Sequence, residues 1–154
     1  MKAKDTPILV SACLLGRPCR YDGESRPVAG ITRLGEIAGV RVIPICPECD
    51  GGLPTPRIPA ERVGERVVSR AGTDVTVEYR LGAEKALKTA RENGCRFALL
   101  KERSPSCGST HIYDGTFTGK LISGRGVCCE TLENAGIRVF SEEKIDELIA
   151  AIQK

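Results

Sequence analysis

Tryptophan is absent from the 154-residue sequence, and three tyrosines and three phenylalanines are its only aromatic residues. A core made from this chain must be aliphatic. A surface that stacks nucleic-acid bases needs aromatic platforms, so nucleic acid is not expected as a primary partner. Histidine occurs once, as His111, so Ser–His and Cys–His catalysis would both hinge on one loop residue. No apolar run approaches the ~20 residues of a membrane-spanning helix. No export leader is expected either: Asp5 and Pro7 fall where its apolar segment would lie, ahead of Val10-Ser11-Ala12-Cys13. The net charge of +3 is too small to imply a polyanionic partner. Internal repeats, linkers and low-complexity segments are also missing. The length then predicts a single domain over residues 1–154, large enough for a real core.

What the chain does have in excess is cysteine, with eight residues. In a small secreted protein that number would suggest disulfides. The aliphatic core and helical patterns make such staples unnecessary, so a reducing cytoplasm is the expected setting, with thiols buried, catalytic or metal-bound.

Apolar runs and turn formers give the architecture. Residues 7–12, 40–45, 96–101 and 137–140 read as strands. Helices are expected over 32–38, over 77–92 with Leu81, Ala86, Leu87 and Ala90 as its stripe, and over 127–134. A last helix is capped by Ser141, with Ile145, Leu148, Ile149 and Ile152 on one face. Residues 46–60, rich in proline and glycine, read as a long loop. Two hairpins are expected, one pairing 66–69 with 74–76 and one about Asp114-Gly115. Strands alternating with helices predict an open, mostly parallel α/β sheet flanked by helices, with a small hairpin insertion.

Ligands in such sheets bind beyond the carboxyl ends of the strands. Three runs end there in a thiol: Ser11-Ala12-Cys13, Cys46-Pro47-Glu48, and Ser104-Pro105-Ser106-Cys107-Gly108. Two readings of Cys13, Cys46 and Cys107 stand. They are three buried structural thiols, or they hold an iron–sulfur cluster that normally takes four thiolates, leaving one iron open as a Lewis acid for a soft ligand. Cys19 and Cys49 are runner-up ligands. Cys95 opens a strand, and one of Cys128 and Cys129 should pack inward from a helix.

Cys46-Pro47-Glu48-Cys49 also forms a C-x-x-C. Without a second close pair it is no zinc ribbon, and with a proline-rich loop after it rather than a helix it does not resemble a dithiol redox site. Glu48 is close enough to a candidate ligand to reach the same pocket for proton transfer; otherwise it is a solvated loop residue. Ser104 and Ser106 offer hydroxyls to a ligand, or simply form the turn. Arg17, Arg20 and Arg57 lie in the same loops, as bidentate clamps for an anionic group or as surface charge.

Taken together, Val10-Ser11-Ala12-Cys13-Leu14-Leu15-Gly16, Cys19-Arg20-Tyr21-Asp22-Gly23, Cys46-Pro47-Glu48, Gly51-Gly52-Leu53-Pro54-Thr55-Pro56-Arg57, and Lys101 with Ser104-Pro105-Ser106-Cys107-Gly108 resemble the DUF523 family. That family includes the thiouracil desulfidases, and the likeness runs from about Ile8 to Ser141. The resemblance implies a Rossmann-like domain that holds a [4Fe-4S] cluster through Cys13, Cys46 and Cys107, with one iron open. It implies Glu48 and Ser104 as the catalytic pair. The implied reaction is a non-redox, hydrolytic replacement of thiocarbonyl sulfur by oxygen on a thiolated pyrimidine base, nucleoside or nucleotide, releasing sulfide. Two other classes compete with it: a metal or sulfur carrier without catalysis, and a C-x-x-C dithiol oxidoreductase. Oligomeric state is not written in these residues.

Overall fold

A computed structural model describes residues 5–25, 27–28 and 30–153. Four strands, β1 (Thr6–Ser11), β2 (Val40–Ile45), β5 (Phe97–Leu100) and β8 (Arg138–Ser141), form one sheet in the order β2-β1-β5-β8. Every pairing in it is parallel, with Ser11 opposite Ile45 and Leu100 opposite Ser141. The chain therefore builds outward from β1 to one side and then crosses to the other. The reversal falls between β1 and β5, the point at which ligands bind in open α/β sheets.

Side chains alternate across the sheet and define two apolar layers. Leu9, Ala98 and Leu100 face α3 (Thr76–Asn93) and α4 (Val127–Asn134), meeting Ala83, Ala86, Ala90 and Leu132. Ile8, Val10, Phe97 and Leu99 face α1 (Gly30–Gly35) and α5 (Ile145–Ile152), meeting Leu34, Ile145 and Leu148. The core is aliphatic and small-residue rich, as a chain without tryptophan requires. Ser141 accepts a hydrogen bond from the Glu143 amide at 3.2 Å and so caps the 3-10 turn that leads into α5.

Four expectations are corrected. Residues 46–60 are not all loop, because a short helix α2 (Pro47–Asp50) starts directly after β2. Pro47 has its φ preset for a first helical position, and Glu48 and Asp50 supply the acidic first turn. The first hairpin pairs β3 (Ala60–Val63) with β4 (Arg66–Ser69), while Asp74 makes only an isolated bridge to Val68. The exposed Asp74 carboxylate accepts from the Thr76 amide and from Arg66, and Val75 still donates its amide to the Val67 carbonyl. In the second hairpin, β6 (His111–Tyr113) meets β7 (Leu121–Ser123) across a seven-residue loop that Asp114-Gly115 only opens. Lastly, α3 buries Tyr79, Gly82, Ala83, Ala86 and Ala90, and leaves Leu81 exposed.

That rotation of α3 has a cause. A methyl group at Gly82 would overlap the Pro47 carbonyl, and one at Gly51 would overlap the Glu78 carbonyl. The two glycines let α2 lie directly on α3, so Gly82 and Ala83 turn inward beside Ala86 and Ala90, and Leu81 turns outward.

Candidate active site

The carboxyl ends of β1, β2 and β5 surround a cavity of about 810 Å³. Cys13 reaches it from the 3-10 turn that follows β1 (Ala12–Leu15), and Cys46 from the N-cap of α2. Cys107 reaches it from the turn after β5, and Cys19, Glu48, Arg57, Tyr79, Lys101 and Ser104 also line the wall. The three strand-ending thiols thus share one chamber, as their positions in the sequence imply.

The turn carrying Cys107 is held from two sides. On one side, Val127 donates its amide to the Pro105 carbonyl at 2.9 Å, and Cys128 to the Ser106 carbonyl at 2.8 Å. A side chain at Gly126 would collide with the Ser106 backbone, so α4 begins against the turn itself. Because α4 is also packed on α3, Cys128 and Cys129 are both fully buried, where one was expected to face outward. On the other side stands Glu102. Its buried carboxylate accepts from the Arg103, Ser109, Thr110 and His111 amides and from the Ser109 and Thr110 hydroxyls, at 2.9–3.4 Å. Burial opposes its charge, but these donors together outweigh it and bring its pKa down to about 2.

Glu48 is nearly enclosed. Its Oε2 receives Arg57 Nε at 2.8 Å and Arg57 Nη2 at 2.5 Å, while its Oε1 lies 3.5 Å from Ser104 Oγ. The Tyr79 phenol also meets Glu48; burial first, and then the Glu48 charge, push that phenol far above its ordinary pKa, so it remains a proton donor. Ser104 Oγ accepts the amides of Ser106 and Cys107, both at 3.1 Å. With its lone pairs so used, the hydroxyl has its proton left to give.

Burial also governs the thiols. It pushes Cys13 up to about 11, aided by the neighbouring Cys19 and opposed by Lys101 and Arg20. It pushes Cys107 up to about 12, against the Ser11 hydroxyl, and raises Cys46 further still. Without a metal these groups are neutral thiols; a cationic centre among them is what would make them thiolates. Among the described residues, no three His, Cys, Asp or Glu side chains come close enough together to hold a single metal ion. Three thiols on the wall of one chamber are a donor set of the kind that holds an iron–sulfur cluster.

The remaining expected site residues divide. Arg20 lines the cavity beside Asp22, with its guanidinium over the Tyr21 ring at 5.6 Å. Arg17 is exposed and does not line the cavity. Ser106 lies behind the wall, fully buried, and its hydroxyl lacks a hydrogen-bond partner among the described residues. Its backbone carbonyl anchors the start of α4, and its hydroxyl lies beside the Cys107 thiol, where it favours the thiolate. Cys49 sits one helical turn from Cys46, and both sulfurs approach the Cys19 carbonyl, at 3.7 and 3.8 Å. The C-x-x-C spans the N-cap and the single turn of α2, and the proline-rich loop expected after it begins at Gly51. Tyr79 and Glu102 were not expected at all. Tyr79 reads as one more residue of a helix; Glu102 had a signal, a lone carboxylate two residues after the buried run Phe97–Leu100.

Residues 8–144 match the model of the family described as 2-thiouracil desulfurase. The chain belongs to that family. The match covers all three cysteine turns, Glu48 and Ser104. Among solved structures, this desulfurase-family chain is similar to the [4Fe-4S]-dependent thiouracil desulfidase TudS, with a TM-score of 0.92 and 51% identity over 97% of this chain and 99% of that one. It is also 42% identical over 152 residues to the uncharacterized protein YbbK of Bacillus subtilis (strain 168), covering 92% of this chain and 99% of that protein. At such identity and coverage, the parallel sheet with its flanking helices is the desulfidase fold. Among the described residues, no helix of this family member is long and apolar enough to cross a membrane.

Proposed function

We propose that this protein removes sulfur from thiouracil or a closely related thiolated pyrimidine, by a hydrolytic exchange of C=S for C=O without net redox change. The observation that carries the reading is the convergence of Cys13, Cys46 and Cys107 with Glu48 and Ser104 on one cavity at the sheet's switch point. Family membership and the likeness to a desulfidase support it. Neither a carrier nor a dithiol oxidoreductase accounts for a carboxylate and a hydroxyl placed together beside the thiols. Eight free thiols suit a reducing compartment, and the cytoplasm is the proposed setting.

Cys13, Cys46 and Cys107 are the proposed ligands of a [4Fe-4S] cluster with one iron not bound by protein. When bound, such a cluster supplies a Lewis acid with affinity for the thiocarbonyl sulfur, which makes the ring carbon more electrophilic. The protein's own groups then divide the proton work. Glu48 Oε1 accepts a proton from the attacking water, and its other oxygen is occupied by Arg57. Ser104, its oxygen held by two amides, can only donate, either to the substrate or to Glu48 Oε1. Tyr79 stays protonated behind the carboxylate and keeps it in place. Ile45, Ile58, Val28 and Ala60 give the chamber an aliphatic flank.

The test is anaerobic reconstitution with iron and sulfide, followed by incubation with 2-thiouracil and assay of released sulfide and uracil. About four irons per chain and stoichiometric uracil and sulfide are expected. Cys107→Ala should lose most of the iron and all turnover. A Cys107→Ala protein with a full cluster would refute the ligand assignment, and iron-loaded wild type without turnover would refute the activity.

A further inference from the structure

Arg57, read from the sequence as a clamp for a substrate anion, has no donor left to offer one. A guanidinium carries five N–H bonds. Nε and one Nη2 hydrogen go to Glu48 Oε2, at 2.8 and 2.5 Å. The other Nη2 hydrogen goes to the Cys19 carbonyl at 3.1 Å. Nη1 reaches the Pro54 carbonyl and Thr55 Oγ, both at 3.2 Å. The side chain is 7% exposed, and the Arg57 amide is itself tied to the Tyr21 carbonyl at 2.7 Å.

The placement of these bonds matters as much as their number. Both Arg57 contacts with Glu48 fall on a single oxygen. That fixes the carboxylate's rotation and turns Oε1 toward Ser104 Oγ. The Cys19 carbonyl that receives Arg57 belongs to the loop that also lines the cavity, so the anchor ties the acid–base group to that wall. Lysine would carry the same charge but could not fill these diverging acceptors.

We propose that Arg57 is a positioning residue that selects which oxygen of Glu48 faces the reacting carbon, and that it makes no contact with substrate. This rests on the reading of Glu48 as the proton acceptor of the desulfurisation.

The experiment compares reconstituted wild type, Arg57→Gln, Arg57→Lys, Glu48→Gln and the Glu48→Gln/Arg57→Gln double variant, with iron per chain, kcat and KM for 2-thiouracil. Arg57→Gln should keep its iron and its KM within about twofold and lose kcat by about 10²-fold, the scale of a misplaced catalytic group. Arg57→Lys should recover only part of that loss. In the Glu48→Gln background, Arg57→Gln should cost less than about threefold more, because residues that act as one unit are not additive. A KM raised tenfold with kcat kept, or an undiminished loss in the double variant, would overturn the proposal in favour of direct substrate binding. A second readout is independent of turnover: the Arg57 Nε–H resonance of the cluster-free wild type should be shifted downfield and slow to exchange, and should move on Glu48→Gln. An Nε–H that does not respond to Glu48→Gln overturns the coupling even in an active enzyme. A wild type whose resonance responds but which releases no sulfide overturns the desulfidase reading, and with it the catalytic meaning of the pairing.

Discussion

Ser104 shows how one side chain acquires a single chemical direction. Two amides fill its acceptor positions, so its proton points outward to Glu48 Oε1 or to whatever occupies the cavity. Ser104→Ala removes that proton and also orphans the Ser106 and Cys107 amides inside a buried turn. The expected outcome is a kcat lower by about 10²-fold, the lower range for a general acid–base group, with a stability loss of about 1–3 kcal/mol. Steady-state kinetics and urea unfolding measure the two effects separately; a variant that loses stability while keeping kcat would remove Ser104 from the chemistry. As candidates, this residue, the three cysteines and Glu48 were legible because each lies in the turn or loop that follows an apolar run read as a strand, whereas the pairing of Ser104 with Glu48 came from the family resemblance alone. Tyr79 was not legible. It reaches Glu48 from a helix more than thirty residues on, through a helix–helix contact that no local pattern encodes. Arg57 was legible as a loop guanidinium, but the acceptors that take its donors were not. A sequence shows a guanidinium but not which acceptors exhaust it.

At the level of elements, the contact of α2 with α3 sets the site. Gly82 lies where the Pro47 carbonyl presses on α3, and Gly51 where α2 meets the Glu78 carbonyl. In a helix interior glycine costs about 1 kcal/mol relative to alanine, so Gly82→Ala would stabilise an isolated helix. Here the added methyl has to displace the backbone of α2, and overpacking of that kind costs about 1–3 kcal/mol. Gly82→Ala should therefore destabilise the protein on balance. It should also lower kcat, since α2 carries Cys46 at its N-cap and Glu48 in its first turn. Denaturation midpoints and turnover should fall together. An alanine variant as stable and as active as wild type would show that α2 has room to move. The same contact explains why Ala86 and Ala90 of the expected stripe are buried and Leu87 packs on the core, while Leu81 is turned out. The leucine pattern marks where burial is most profitable, but a neighbour that approaches to backbone distance selects the smallest residues. Proline and glycine likewise marked residues 46–60 as irregular and hid one helical turn, since Pro47 at a first helical position starts a helix as readily as it breaks one.

On the scale of the whole molecule, the β2-β1-β5-β8 order leaves a crevice at the reversal between β1 and β5, and the chain fills its far end with a buried acid. Glu102 closes the turn around Cys107, and its amide donates to Glu142 Oε1 at 2.7 Å, joining the end of β5 to the residue after β8. Glu142 in turn holds Lys101 at 3.0 Å. The Glu102 carboxylate thus closes the ligand turn from Arg103 to His111, while its backbone amide ties that turn to Glu142, so protonation of the carboxylate should loosen the turn around Cys107 and weaken the fold. The sign follows from the direction of its shift. Its pKa is held down at about 2 in the folded protein, against an ordinary value of 4.5. The stabilisation it provides is therefore fully present above pH 4.5, and is lost as pH falls from there through about 2. Wild type should lose stability steeply across that window. Glu102→Gln, which keeps the size but lacks the charge, should be less stable at pH 7 and show a flatter dependence, so the two curves converge toward pH 2. Urea midpoints of the cluster-free proteins between pH 7 and the acid limit test this without any contribution from cluster loss. Parallel curves would place the acid sensitivity elsewhere. Convergence would identify Glu102 as the group through which acid opens the wall of the chamber that Cys13, Cys46 and Cys107 share.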